Sequence, residues 1–576
     1  MFTFVQRTSL VSLLVLGVTL NPVFASDPSC GTDPNTAHNK IKYSMYFHSK
    51  PQDASQCSMR VVKGRIVVAD SISNPGMACP DMFSWKLFAD VVTQEFWKNW
   101  ASDQETWPGV QCPNGDPACK QTAPLPVCRV GQKGTNCCDP DAATNPGYDD
   151  ANYPFKSCPY FPGDHTEKGF ELRLAMPPSK AHVPAFAAEP GFREMLMAFN
   201  EPGRDIRQTM AELVFRNKSM WDFTFRNNLY NQEGIIQVFI NNSNNINQSA
   251  NGGPPYRIEN ASKVFSEIDY PIQTIMIKSN WVSEEDAKRL KITDNPPHVK
   301  MDIKGPYTDN NGTIWKKGRY WLIALHISSK DTPNWVWATF EHVANPGRCD
   351  FTGCNDSYGY SSADPDIGAG QAKNYTAPHV KCDDLPLPSF VFDNGNNYGS
   401  GPLASSLASV FHDLGIGATG NNTGMPSYAD KAWLNYRLKG SQVQFADSMG
   451  RPTHLANSIT EGGFVSSSSC ITCHARAGTA AVGTLPPALG VFINELEDSG
   501  YQRSAHGLPV PDWYHRSGQP PTLNVLQTDF IWGFLSANCI TDKCQPSAVA
   551  PFQLFEEQLQ KKLDAAPTVR ERTDAH

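Results

Sequence analysis

Positive charge is scarce in this 576-residue chain: 49 Lys and Arg stand against 57 Asp and Glu, a net −8. Such a balance offers no basic field to draw phosphate backbones, which sets nucleic-acid binding aside. Long apolar runs are missing too. After the first 25 residues no segment approaches the roughly 20 consecutive apolar residues that a bilayer demands, so stable membrane insertion is not expected. There is no internal repeat, so the chain does not read as an array of one unit. Wholesale disorder is excluded from the other side, because 40% hydrophobic and 11% aromatic residues suffice for a sizeable core.

The N-terminus reads as an export signal. Arg7 supplies a thin positive region, residues 10–20 are apolar but for Ser12, Gly17 and Thr19, and Val23-Phe24-Ala25 has the small-x-small pattern of a cleavage site. Cleavage after Ala25 and a periplasmic or secreted address are expected. Cysteine usage fits. Of 16 cysteines, two belong to a motif discussed below, and the other 14 are an even set with short spacings such as Cys112/Cys119, Cys349/Cys354 and Cys539/Cys544. In an exported chain that pattern suggests disulfides. Metal binding is the alternative, but no other pair has the two-residue gap of a zinc knuckle. Adjacent Cys137 and Cys138 suit bridges to separate partners.

The expected fold class is α+β: a β-rich antiparallel middle, disulfide-stapled loops and a mostly helical C-terminal region. The organisation expected is a signal peptide at 1–25, a mixed region with Cys-rich loops at 26–230, a β-rich region at 231–405, a further region at 406–565 and a disordered tail at 566–576. Within these, residues 61–69 and 235–240 read as strands, 83–100 and 190–230 as helical, and 241–253 as a polar insert. Met195, Met197, Met210, Leu213 and Val214 are core candidates. Alternating runs at 272–281, 299–303, 320–327 and 335–343, bounded by Pro, Gly and Asp, read as strands. Helices are expected over 428–438, around residue 470 and over 551–563.

Chemistry concentrates at Ser469-Cys470-Ile471-Thr472-Cys473-His474, which contains Cys-x-x-Cys-His, the attachment signature of haem c. Two thiols three positions apart on a helical turn can form thioethers to the two vinyl groups of one porphyrin, and the next imidazole then meets the iron. By composition about 0.01 such motifs are expected in a chain of this kind. A thioredoxin-like pair would want a βαβ setting, which the Gly/Ser-rich approach at 462–469 does not offer. A disulfide between cysteines so close is strained. One covalent haem c, held by Cys470 and Cys473 with His474 as axial ligand, is the reading.

The other axial position is open to several residues. Met would raise the reduction potential, but no Met follows His474. Downstream stand His506 and His515; upstream, Met425, Met449, His412 and His454. His515, in a polar loop, is the favoured distal ligand. His342, on an aromatic-rich run ending Phe340-Glu341-His342, is a candidate distal ligand or acid/base, though such a residue is more often a hydrogen-bonded core histidine; His326 reads as structural. Arg437 and Arg476 suit haem propionates, because a planar guanidinium matches a carboxylate, with exposed surface charge as the alternative.

Trp335-Val336-Trp337-Ala338-Thr339-Phe340-Glu341-His342, Leu455-Ala456-Asn457, the haem motif with Ala475, and Gln527-Thr528-Asp529-Phe530-Ile531-Trp532 together resemble the large periplasmic cytochrome c family proteins of bacteria over about residues 270–535. More distantly, the architecture resembles the cytochrome c peroxidase-like fatty-acid dioxygenases and diol synthases. Those are dihaem proteins, whereas this chain has one motif, so a haem-to-haem relay does not carry over. The resemblance implies an exported haem oxidoreductase that meets oxygen or a peroxide. An apolar substrate and a redox partner protein are its other expected partners. The competing expectation is a non-catalytic electron-transfer cytochrome with a six-coordinate haem.

Overall fold

Strands in the middle of the chain alternate large apolar side chains with small or polar ones, so that each has one face for a dry core and one for something else. The computed structural model describes residues within 56–108, 123–164, 202–250, 265–348, 403–480 and 514–541, with short gaps, together with Asp53, Tyr358 and Pro509. Seven strands form one antiparallel sheet. They are β1 (Ala101–Ser102), β2 (Ala211–Arg216), β3 (Ile275–Ser283), β4 (Lys300–Ile303), β5 (Gly318–Ser329), β6 (Val336–His342) and β7 (Tyr436–Gln442). Their order is β7-β6-β5-β3-β2-β1, with β4 beside β6 on the same side of the long β5. The sheet thus draws strands from each of the three central regions expected from sequence. The α+β class holds.

One face is an aromatic core. Helix α1 (Pro80–Thr93) lays Trp85 and Phe88 over Phe340 of β6, with ring centroids 5.0 and 4.7 Å apart. Phe411, from a later helix at Ser405–Leu414, stacks on Phe88, and Trp433 stacks on Trp97. Leu213, Phe215, Ile277, Leu325, Ile327, Val336 and Ala338 are the sheet's contribution. Full burial of each large side chain contributes about 1.5–3 kcal/mol. The α1 N-terminus is closed by Asp53, whose carboxylate accepts from the amides of Asp81 and Met82 at 2.9 and 3.0 Å. Cys57–Cys79 ties the preceding hairpin to it. Cys137 and Cys138 do bridge to separate partners, Cys128 and Cys158.

Several local expectations change. Residues 61–69 belong to a hairpin, Met59–Val62 with Arg65–Val68, because Lys63 and Gly64 turn the chain at φ +51° and +73°. Glu95, at φ +47°, splits the helix expected over 83–100. Of the run expected to be helical at 190–230, Pro202–Arg207 and α2 (Lys218–Arg226) are helices, residues 190–201 lie outside the described ones, and between the two helices β2 is a strand with Ala211, Leu213 and Phe215 buried in the aromatic core. Met210 and Leu213 are buried as expected. Residues 235–240 are not a strand; they and most of the polar insert lie in one helix, α3 (Gln232–Ala250), with Ile235 and Val238 inward at helical spacing and Ile236 and Ile240 exposed. The helix expected over 428–438 is a 3-10 turn, Lys431–Asn435, leading into β7. There the pairing of Tyr436 and Leu438 with β6 overrides propensity. The signal segment, Met195, Met197 and residues 551–563 lie outside the described residues. No described helix is long and apolar enough to cross a membrane.

Candidate haem site

The opposite face of the sheet is built differently. In the register of the strands, three cross-sheet rows of residues share this face. The first is Arg216, Met276, Ser328, Trp337 and Gln442; the second is Val214, Lys278, His326, Thr339 and Gly440; the third is Glu212, Asn280, Ala324, Glu341 and Arg437. These rows hold the segment that carries Cys-x-x-Cys-His. Asn457 donates to Thr339 Oγ1 at 2.8 Å. The buried Glu341 carboxylate accepts from the Ser458 amide at 2.5 Å and the Ser458 hydroxyl at 2.8 Å, and Asn280 Oδ1 accepts from Thr460 Oγ1 at 2.8 Å.

The motif itself is a short helix, Cys470–Ala475. Ser469 sits at its N-cap without a side-chain cap bond; Gln442 of β7 supplies one instead, its Oε1 accepting from the Ile471 amide at 2.9 Å. The same amide group donates to Ser469 Oγ at 3.0 Å and to Thr453 Oγ1 at 2.6 Å. The sheet edge therefore fixes where the motif begins.

Among the described cysteines Cys470 and Cys473 are the two outside any disulfide; the others, Cys539 included, are in disulfides. Cys470 is buried with its Sγ 3.4 Å from the Leu455 carbonyl, and burial holds its thiol well above the usual range. The His474 ring lies 4.3 Å from the Trp337 ring, centroid to centroid, tilted by 35°. His474 Nδ1 is 2.8 Å from the Phe530 carbonyl oxygen. A carbonyl only accepts, so Nδ1 carries the proton and Nε2 keeps its lone pair. Burial, with the nearby Lys278 ammonium adding to it, lowers the His474 pKa to about 3, so the imidazole is neutral.

That carbonyl is set by an unusual turn. Asp529 and Phe530 both have positive φ, +46° and +67°, a conformation that costs a non-glycine residue on the order of 1 kcal/mol or more. Asp529 holds it by accepting from the Tyr270 amide at 2.7 Å, Lys330 Nζ at 2.6 Å and Trp335 Nε1 at 3.0 Å.

Beside the motif the second row carries half-buried titratable groups, Lys278 and His326. Lys278 pairs with Glu212 at 3.2 Å. Glu461 accepts from the Asn457 amide at 2.7 Å, and burial raises its pKa to about 7. His326 faces the same cluster, and both Lys278 and His474 are close enough to disfavour its charged form, after burial itself.

The residues singled out from sequence scatter. Cys470, Cys473 and His474 share one short helix. His342 does not join them: it is on the aromatic face, its Nε2 3.2 Å from the Pro297 carbonyl, its Nδ1 accepting from the Ala344 amide at 3.2 Å, its ring 3.5 Å from that of His298. It is a satisfied core histidine. His515 is half-buried on a two-residue strand opposite Leu523; its neighbour Tyr514 reaches the motif instead, its hydroxyl donating to the Ala475 carbonyl. Arg437 turns its guanidinium onto the carbonyls of Leu434 and Tyr436, at 2.7 and 2.8 Å. Arg476 is buried at the end of the motif helix and close enough to stabilise the charged form of Tyr514. His506 lies outside the described residues.

Comparison with known proteins adds no relatives: no family model, no curated protein and no solved structure matches this chain. The residues themselves fit a haem. Two cysteines outside any disulfide stand three positions apart on one helical turn, followed by an imidazole whose Nδ1 is fixed by a carbonyl, the outer bond that metal-ligating histidines commonly make. No cluster of three or more His, Cys, Asp or Glu suited to a bare metal ion exists among the described residues. A haem asks less, since the porphyrin brings four nitrogens of its own.

Proposed function

We infer that the chain is an exported oxidoreductase with one covalent haem c, attached through Cys470 and Cys473 and ligated through His474 Nε2, whose iron meets oxygen or a peroxide. The observation that carries this reading is two cysteines kept out of any disulfide in a disulfide-bonded chain, next to an imidazole locked into the ligating tautomer. Three described disulfides and the N-terminal signal pattern support a periplasmic or secreted address, where haem c is attached.

When bound, the haem supplies the one-electron chemistry. The protein's residues do the rest. The Phe530 carbonyl orients His474 and raises its basicity. Trp337 packs beside the ring, and the sheet covers the site. Lys278 and Glu461 are proton-carrying groups held close to the motif, equipment that a catalyst uses and a carrier does not need. Arg476, buried beside the motif, would suit a propionate; Arg437, engaged with its own backbone, is already committed. Trp335 and Trp337 are buried in the sheet, so half-buried Phe530 is the apolar side chain beside His474 that a substrate would meet. A redox partner protein would complete the electron supply.

The second reading, electron transfer through a six-coordinate haem, is favoured by the presence of His326 in this cluster. An optical spectrum of the purified exported protein, oxidised and reduced, with and without carbon monoxide, separates the two, and a pyridine haemochrome counts covalent haems. One c-type haem per chain that binds carbon monoxide supports the enzyme. Carbon monoxide refused in both states supports the carrier, and no c-type signal overturns the haem reading.

A further inference from the structure

Aromatic rings serve the two faces of the sheet differently. On the α1 face Trp85 is fenced by Phe88, Phe340 and Phe411, rings that fill space and resist oxidation. On the motif face a file of rings leads away from His474. Trp337 is 4.3 Å from its ring, Trp335 is 6.1 Å from Trp337, and Tyr270 is 6.3 Å from Trp335, all between centroids. Tryptophan and tyrosine are the aromatic side chains that give up one electron readily. Electron tunnelling falls off exponentially with distance, so rings in contact outrun a single long jump.

Trp335 is kept in that file under strain. Its φ is +62°, in the left-handed region that a bulky residue rarely adopts and that gathers at functional positions. Its charged surroundings are also particular. Trp335 Nε1 donates to the Asp529 carboxylate at 3.0 Å, whereas Trp337 Nε1 donates to the neutral Asn334 carbonyl at 3.0 Å. The Lys330 ammonium, 5.9 Å from the Trp335 ring centroid, opposes positive charge there, but two carboxylates hold it, Asp529 at 2.6 Å and Asp269 at 3.0 Å. The balance of the three is negative, which favours a cation on the Trp335 indole. Tyr270 closes the file. Its hydroxyl donates to Thr224 Oγ1 at 2.9 Å, and Thr224 in turn donates to the Met220 carbonyl. Neither is a base, and burial holds the Tyr270 phenol well above its ordinary pKa, so it keeps its proton and resists oxidation.

We propose that Trp337 and Trp335 form an electron relay between the His474-ligated cofactor and the surface beside Asp269, with Trp335 as the station where the missing electron is held. This rests on the haem reading above and deepens it. Reduction of hydrogen peroxide to two waters consumes two electrons and two protons. Each electron leaves the Trp337 indole, and Trp335 refills Trp337. Trp335 is then a cation radical that keeps its Nε1 proton in the hydrogen bond to Asp529, until a one-electron donor protein refills it. Both indoles end as they began, and the protons come from solvent. The donor's access is short: Asn334, the residue before Trp335, and Asp269, bonded to Lys330 beside its ring, are both exposed.

The test is freeze-quench electron paramagnetic resonance of the full-length exported holoprotein mixed with hydrogen peroxide, with haemochrome content measured on every sample. The wild type should give an indole radical, recognised by narrower lines when the tryptophan rings are deuterated. Trp335→Phe and Trp337→Phe should each lose most of that signal, while peroxide still changes the optical spectrum at the wild-type rate. A haem that peroxide leaves unchanged, a wild type without an indole radical, or a signal of unchanged yield in either variant overturns the relay and leaves covalent haem standing. No haemochrome from the wild type would instead overturn the haem reading. Should a phenylalanine variant fail to accumulate, Trp335→Tyr decides: conversion of the indole signal into a tyrosyl one is expected, and an indole signal that persists overturns the relay.

Discussion

The two faces of the sheet are made from the same strands and obey different rules. On the α1 side, Trp85, Phe88, Phe340, Phe411 and Trp433 exclude water, and the polar groups admitted there, His298 and His342 among them, have partners for most of their atoms. On the motif side, the strands offer Lys278, His326, Thr339, Glu341 and Gln442, and the chain from 455 to 475 is fastened to them by hydrogen bonds. The first face makes stability. The second spends some of it on placing an imidazole, two thiols and an acid.

The difference can be broken in order of effect. Replacing both thiols, Cys470→Ala with Cys473→Ala, should abolish covalent haem completely, read as loss of the haemochrome after acid extraction, while the disulfides and sheet persist by circular dichroism. On the other face, Trp85→Ala should cost about 3–5 kcal/mol in denaturant unfolding and leave the haem spectrum of the folded fraction unchanged. Asp529→Ala should cost about 2–3 kcal/mol, because Lys330 loses its buried carboxylate and the positive-φ turn its anchor. It should also raise the midpoint potential as the Phe530 carbonyl leaves His474. A change in stability with no change in potential would show that the turn only packs.

Glu461 gives a pH signature. Its folded pKa of about 7 exceeds the ordinary 4.5, so between those values the native state holds a proton that the unfolded chain has released. Its contribution to stability is therefore present at low pH and is lost as pH rises through about 7. Unfolding of Glu461→Gln across this window should show a shallower decline than the wild type, and an identical slope would remove Glu461 from the account. The smallest effect is expected from His515→Ala, within about 0.5 kcal/mol in stability and without change in spin state; a switch to high-spin would restore His515 as the ligand.

Much of the site was legible as spacing and little of it as position. Cys470, Cys473 and His474 are consecutive enough for a local rule to find them. The four central strands were also readable, because period-two alternation is local. What joins them is not. Phe530 meets His474 across 56 residues and Gln442 meets Ile471 across 29, and no local pattern carries such pairings. β2 was mistaken for helix and residues 235–240 for a strand because short apolar runs satisfy either period until their neighbours are known. His326 had a signal that went unused: Ala324, His326 and Ser328 share one side of β5, as Lys278 and Asn280 do on β3, so polar residues line up across adjacent strands on one face. His342, in an aromatic run, drew attention for its surroundings, yet strand parity alone puts it on the face away from Trp337 and Glu341.

Gln442 has a consequence for how the protein is made. Its side chain caps the motif helix from the edge of a sheet whose first strand begins more than three hundred residues earlier. Pairings of that sequence separation close slowly. On the proposed haem reading, until they do residues 469–474 have no cap and no Trp337 at their side, and the two thiols would be open both to haem and to the fourteen other cysteines of the chain. Maturation would then be a race between thioether formation and stray disulfides, which pairing of β7 with β6 would end by withdrawing Cys470 from solvent.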